Sequence, residues 1–142
     1  MIAFREARSS DEDAVSALVA RFSSPAVIDP AVFQQTWKKK IGEVDSHIVV
    51  AESDGRVVGY VSAYVHATLY ADKPVAWIDE IFVSEDARDL GIGRGLMAEI
   101  DRWARGRGCR LIALASRDAG EFYKALGYSE DESRNYKRDP SG

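Results

Sequence analysis

The most specific chemistry in this chain lies between Val83 and Met97, where the sequence runs Val-Ser-Glu-Asp-Ala-Arg-Asp-Leu-Gly-Ile-Gly-Arg-Gly-Leu-Met. A run rich in β-formers enters this segment and an amphipathic, helix-patterned run leaves it. Backbone amides at a helix start lack intrahelical acceptors, and the helix dipole there favours anions. Glycine lets main chain approach a phosphate without a Cβ in the way. Arg88 and Arg94 add positive charge beside Asp89, Leu90, Gly91, Ile92, Gly93 and Gly95. The turn therefore has the chemistry of a phosphate or pyrophosphate site. A plain tight turn is the competing reading, but each glycine weakens a helix start by up to about 1 kcal/mol unless close approach compensates.

Other glycine turns fit poorly. A P-loop requires Gly-Lys-Ser/Thr, and no Lys-Ser or Lys-Thr pair follows here. A dinucleotide fingerprint needs a third glycine where this chain has Leu96, and it belongs to an opening βαβ unit rather than past mid-chain. His47 and His66 have no Cys or carboxylate at ligand spacing, so no metal site is expected. The single cysteine, Cys109, excludes an intramolecular disulfide and reads as a small core side chain.

The elements that must hold this turn follow from periodicity. Residues 2–8 alternate as a short strand. Ser9-Ser10-Asp11 then offers helix caps before Val15, Leu18, Val19 and Phe22 at helical spacing. Ser23-Ser24-Pro25 breaks that helix, and Asp29-Pro30 opens a second one carrying Val32, Phe33, Trp37 and Ile41. Two β-rich runs flank Asp54-Gly55 as a hairpin. Val75–Val83 is a further strand, and a helix follows from about Gly93 to Gly106. Leu111–Ala115 reads as a strand covered on both faces, Ala119–Leu126 as a short helix, and Tyr128 to about Lys137 as a last strand. The predicted class is α+β, an α/β sandwich with a mixed, mostly antiparallel sheet flanked by helices and one β-α-β crossover.

Arg-x-x-Gly-x-Gly between a strand and a helix resembles the pyrophosphate motif of the GCN5-related N-acetyltransferase (GNAT) family. A second segment, Ala-Gly-Glu-Phe-Tyr-Lys-Ala-Leu-Gly-Tyr over residues 119–128, resembles that family's C-terminal signature. The spacing between the two and the element order agree as well, so the likeness runs over nearly the whole chain.

The resemblance implies acetyl-CoA as acyl donor and a primary amine of a small molecule, peptide or protein as acceptor. It implies that the strand at Ile81, Phe82 and Val83 splays from its neighbour and holds pantetheine and thioester through main-chain atoms, and that Tyr123 protonates the leaving thiolate. Asp79 and Glu80 stand as candidate bases. Strict alternation would put them on opposite faces, with Glu80 favoured because it shares a face with Ile78 and Phe82. Ser116 replaces an asparagine common in relatives, which shifts weight onto backbone contacts and Arg117. In such folds the acceptor pocket lies between the N-terminal helices and the middle strands, with Trp37, Tyr64, Tyr70 and Trp77 as candidate walls. A homodimer is frequent in such families. A non-catalytic acyl-CoA sensor is the alternative reading, disfavoured by the retained phenol and carboxylates.

Composition bounds the rest. The 142 residues suit a single domain over 1–142, and a net charge of −4 argues against a nucleic-acid partner. No apolar run approaches a membrane span and the N-terminus has no signal-peptide pattern, so a cytoplasmic protein is expected. Lys38-Lys39-Lys40 reads as a solvated helix end.

Overall fold

The computed structural model describes residues 1–22 and 28–141. The expected break at Ser23-Ser24-Pro25 lies outside the described residues. Strand β1 (Ile2–Glu6) leads through a 3-10 turn into α1 (Glu12–Phe22), and α2 spans Pro30–Gly42. Strands β2 (Ser46–Ser53), β3 (Arg56–His66) and β4 (Val75–Val83) follow, then α3 (Ile92–Gly106), β5 (Leu111–Leu114) and α4 (Gly120–Ala125). The strands form one sheet in the order β1-β2-β3-β4-β5, antiparallel except for the parallel β4–β5 pair that α3 connects.

Local chemistry explains the boundaries. The Asp29 carboxylate accepts the Ala31 N–H at 2.9 Å, and Pro30 occupies the first helical position of α2. Asp54 and Gly55 both take positive φ, 51° and 80°, the twist a two-residue hairpin turn needs. Asp11 does more than offer a helix cap. Buried at the start of α1, it accepts two bonds from the Arg5 guanidinium and one from the Arg8 N–H, while Arg5 also reaches Glu52.

Alternation along the strands splits the interior into two layers. Ile48, Val50 and Tyr60 face α1 and α2 and meet Val15, Leu18 and Trp37. Val49, Ala51, Val61, Ala63 and Ile78 face the other way and meet Ile92, Leu96, Met97 and Ile100 of α3, together with Tyr123 of α4. Each such α3 side chain contributes roughly 1.5–3 kcal/mol on burial, an upper figure because unfolded chains already hide some surface. Helix α3 is thereby clamped to the sheet, and its N-terminus is held at the end of β4.

Two expectations fail. No strand forms over 128–137: Ser129 to Ser141 are exposed throughout, because Tyr136 is their one large apolar side chain and alternation has no apolar stripe to bury. Strand β5 is shorter than expected and only partly covered, with Leu111 exposed, because it ends the sheet and has β4 as its sole strand neighbour. Among the described residues no helix is long and apolar enough to cross a membrane.

Candidate active site

Strand β4 changes partners partway along. Val75 to Ile78 pair with Leu111 to Leu114 of β5, and there β5 ends while β4 continues to Val83. Among the described residues, β4 from Asp79 onward has a strand neighbour only on the β3 side. The main chain at Ile81, Phe82 and Val83 therefore lies beyond the end of β5, with no β5 residue paired to it. Ile81 and Val83 turn their side chains into the α3 layer, and Phe82 turns into the α1–α2 layer.

A β-bulge lies at the start of this stretch. Ser62 is opposite Glu80, but Ala63 is opposite Ile78, so Asp79 is an extra residue. The extra residue reverses the alternation. Ile78 packs in the α3 layer, whereas Glu80 accepts a bond of 2.8 Å from the hydroxyl of Tyr60, a residue of the α1–α2 layer. Asp79 also looks toward α2, where Lys40 lies 3.8 Å away. Strict alternation thus gives the wrong geometry: Glu80 shares a face with Phe82 but not with Ile78, and the two carboxylates lie on one side of the sheet rather than two. Burial raises the Asp79 pKa in spite of the opposing charge of Lys40. Burial, reinforced by Glu80, pushes the Tyr60 phenol far above its usual range, so Tyr60 stays a neutral donor.

Beyond β4 the chain passes through a 3-10 turn (Glu85–Ala87) into the glycine turn. Asp89 and Gly91 take φ of 67° and 77°, and the helical ladder of α3 starts with the Gly95 N–H on the Gly91 carbonyl at 3.0 Å. The amides of Ile92, Gly93 and Arg94 precede that bond, no side chain caps them, and the first turn holds no acid. In α1 the first turn holds Glu12 and Asp13, and in α2 Asp29 caps. Of the three helices of more than ten residues, α3 alone presents an uncapped, acid-free N-terminus, which suits a diphosphate.

The three glycines have separate reasons. Gly91 is needed for its left-handed backbone. At Gly93 a Cβ would come within 3.2 Å of Phe122 Cζ, so the ring of Phe122 lies beside the helix start. At Gly95 a Cβ would fall 2.0 Å from Phe4 Cζ. That clash belongs to packing between β1 and α3, so the missing side chain of Gly95 is explained by the core. Ile92 is buried, and with Leu90 exposed neither side chain bears on the turn's chemistry; their relevance rests on main chain. Arg88 donates from Nε to the Val83 carbonyl at 3.3 Å and lies over the Phe82 ring, while Arg94 is exposed beside the uncapped amides.

Tyr123 is 9% exposed and packs in the same layer as Ile81, Val83 and Leu114. Burial raises its phenol above the usual value. Its neighbour Phe122 makes an edge contact at 5.0 Å and is the more exposed of the two. Ser116 and Arg117 are exposed in the loop after β5, with the Ser116 hydroxyl accepting the Ala119 N–H at 3.1 Å, a local turn that orders the approach to α4.

Among the candidate acceptor walls, Trp37 is core, its indole N–H bonded to the Ser9 carbonyl at 3.3 Å, and Tyr70 is exposed in the β3–β4 loop. Tyr64 lines a cavity of about 490 Å³ with Thr36, Lys40, Glu43 and Ser46, and Trp77 is its cross-strand partner. Lys40 is an ion-pair partner of Asp79 and not a freely solvated helix end. Sequence reasoning also passed over Tyr60 and Gly59. A glycine inside a β-run was the available signal: at Gly59 a Cβ would sit 3.0 Å from the Phe82 carbonyl and 3.4 Å from Ile92, so its absence lets the first turn of α3 pack closely on β3. Among the described residues no group of three or more metal-ligating side chains comes together.

Comparison with known proteins bears on the family and the fold. Residues 12–128 match the family described as the acetyltransferase (GNAT) family. The chain is 28% identical over 134 residues to an aminoalkylphosphonate N-acetyltransferase of Salmonella typhimurium, covering 92% of this chain and 86% of that protein. It is 39% identical over 88 residues to an uncharacterized N-acetyltransferase of Methanocaldococcus jannaschii, covering 58% of this chain but only 39% of that longer protein. In fold it resembles an aminoglycoside N-acetyltransferase solved in complex with CoA, with a TM-score of 0.86 at 20% identity over 99% of this chain and 95% of that one.

Proposed function

The chain belongs to the GNAT acetyltransferase family, and on that premise we propose that it is an acetyl-CoA-dependent N-acetyltransferase acting on a primary amine of a small molecule. The observation that carries this reading is that β4 runs on past the end of β5 and is followed in the chain by the uncapped N-terminus of α3. A ligand with a diphosphate at one end and a narrow arm at the other suits those two features together. The amides of residues 92–94, with Arg94 beside them, would hold the diphosphate, and main chain at Ile81, Phe82 and Val83 would line the arm.

Acetyl-CoA supplies an activated acetyl thioester. The chain supplies the remaining needs of acyl transfer. Glu80, oriented by Tyr60, accepts the proton that the acceptor ammonium must lose before its nitrogen bonds to the acetyl carbon; Asp79 adds negative charge on the same side of the sheet. Main-chain N–H groups of the 81–83 segment face the oxygen on which charge develops. The Tyr123 hydroxyl delivers a proton to the sulfur as the carbon–sulfur bond breaks. Forming the amide takes a second proton from the nitrogen; passed through water it restores the Tyr123 phenol, and Glu80 gives up the first to solvent, so one proton is released per turnover.

Thiol release from acetyl-CoA, followed over a panel of small amines, tests the reading. Wild-type protein should release CoA only when an amine is present, and Tyr123→Phe should lower kcat at least tenfold while the Kd for CoA changes less than threefold. Saturable CoA binding with no release over any amine would make the domain a sensor. Unchanged turnover in Tyr123→Phe would remove that phenol from the mechanism.

A further inference from the structure

The bulge at Asp79 puts two carboxylates of neighbouring residues, about 3.8 Å apart at Cα, on one side of the sheet. Each has its own partner. The Tyr60 hydroxyl donates to Glu80 Oε1 at 2.8 Å, and Lys40 Nζ, from the last turn of α2, lies 3.8 Å from Asp79 Oδ2. Among the described residues Lys40 is the one cation paired with Asp79. The other elements packed on this part of β4 bring no second one. From α1, Arg21 donates to the Ser84 hydroxyl at 3.2 Å; β3 places the buried Ser62 opposite Glu80; and β5 has ended at Leu114.

The two partners do different things. A phenol that stays protonated orients Glu80 but brings no positive charge to the pair of acids. Lys40 does bring one. Negative charges on adjacent residues repel, and taking up a proton relieves the repulsion. Burial already pushes the Asp79 carboxyl upward, and Lys40 opposes it. Both side chains are about one-third exposed, so solvent weakens the pair without abolishing it. A protonated Asp79 would change the site twice. Its charge would no longer attract an ammonium, and its O–H would become a donor with the Glu80 carboxylate as its neighbouring acceptor. That bond would occupy an oxygen which the proposed reaction needs for the acceptor's proton.

We propose that Lys40 is a positioning residue for the base: paired with Asp79, it keeps that carboxylate ionised into mildly acidic pH and turned toward α2, which leaves Glu80 free to accept the proton of the acceptor ammonium. Lys40 acts through Asp79 and touches no reacting atom. Its positive charge lowers the pH at which Asp79 gains a proton, so its loss moves the acid limb of kcat/KM toward higher pH. This inference rests on the N-acetyltransferase reading of the same site.

Two readouts test it. The first is the pH profile of kcat/KM by thiol release, with an amine from the panel that supports turnover. Lys40→Met should move the midpoint of the acid limb up by about 0.5–1 pH unit, Lys40→Arg should restore it, and Lys39→Met should leave it in place. The second reads Asp79 without turnover. A carbon-13 NMR titration of the side-chain carboxyls, assigned with Asp79→Asn, should find the Asp79 midpoint higher in Lys40→Met than in wild type by a similar amount. Thiol release with an unmoved limb, or with an unmoved Asp79 midpoint, would overturn the role of Lys40 and leave the acetyltransferase reading intact. So would a loss of kcat/KM that is equal at every pH, the mark of a purely structural ion pair. No release over any amine would sink the acetyltransferase reading and the positioning role together. Thermal unfolding of each variant across the same pH range separates a moved limb from acid unfolding.

Discussion

Gly95→Ala separates the packing role of one glycine from the ligand-facing role of the turn before it. A Cβ built at residue 95 lies 2.0 Å from Phe4 Cζ and 2.5 and 2.6 Å from the two Cε atoms, against the 3.4 Å where ordinary contact begins. The ring must therefore withdraw by the difference, 3.4 − 2.0 = 1.4 Å. Phe4 cannot follow with its backbone, because β1 is hydrogen-bonded to β2 with Phe4 opposite the fully buried Ala51. Overpacking of this kind costs roughly 1–3 kcal/mol, and the gain in helix propensity returns about 1 kcal/mol. A clash this deep puts the cost at the upper end of that range, so the net loss is about 2 kcal/mol, or a Tm lower by about 4–8 °C for a domain of this size. Thermal unfolding by circular dichroism measures it, and calorimetric titration should find the CoA affinity within threefold of wild type. Adding Phe4→Leu should recover part of the lost Tm. A Gly95→Ala variant as stable as wild type would show that the contact is not tight. One with unchanged Tm and lost CoA binding would return Gly95 to the phosphate site.

Three further perturbations probe other parts of the molecule. Gly93→Val should weaken CoA binding at least a hundredfold with Tm nearly unchanged, since Phe122 is exposed enough to swing aside while the branched side chain covers the amides of 92–94; normal affinity by titration would refute the anion-site assignment. Tyr60→Phe removes the donor to Glu80 and should lower kcat about tenfold without changing the KM for acetyl-CoA; equal effects on both would point to general disorder. Arg5→Met should cost about 2 kcal/mol at pH 7, a buried-pair figure reduced for the partial exposure of Arg5. The Arg5 guanidinium holds Asp11 below the usual carboxylate value, so this stabilisation is complete above pH ~4 and is lost as pH falls through the lower folded value. Urea unfolding at pH 7 and pH 3 should therefore show the wild-type advantage shrinking in acid, and an equal advantage at both would exclude Asp11 as its source.

Much of this protein is local and therefore legible in one dimension. The caps at Asp29 and Pro30, the Asp54-Gly55 turn, the amphipathic stripe of α3 and the strand–turn–helix around Gly91 each depend on neighbours within a few residues. Where meaning depended on a distant partner, periodicity misled. The bulge at Asp79 exists because β3 and β4 pair out of step, and without β3 in view nothing marks residue 79 as the extra one; the two acids were therefore assigned opposite faces. Gly95 looked like part of an anion site until β1 placed Phe4 against it. Lys40 looked solvated until β4 brought Asp79 within 3.8 Å. A strand over 128–137 is expected on propensity alone, although propensity without an apolar face to bury does not overcome the entropy of ordering a chain. Side-chain type and short-range spacing are properties of the chain itself; which face a side chain occupies, and what it meets there, arises only when segments far apart in sequence share the same packed volume.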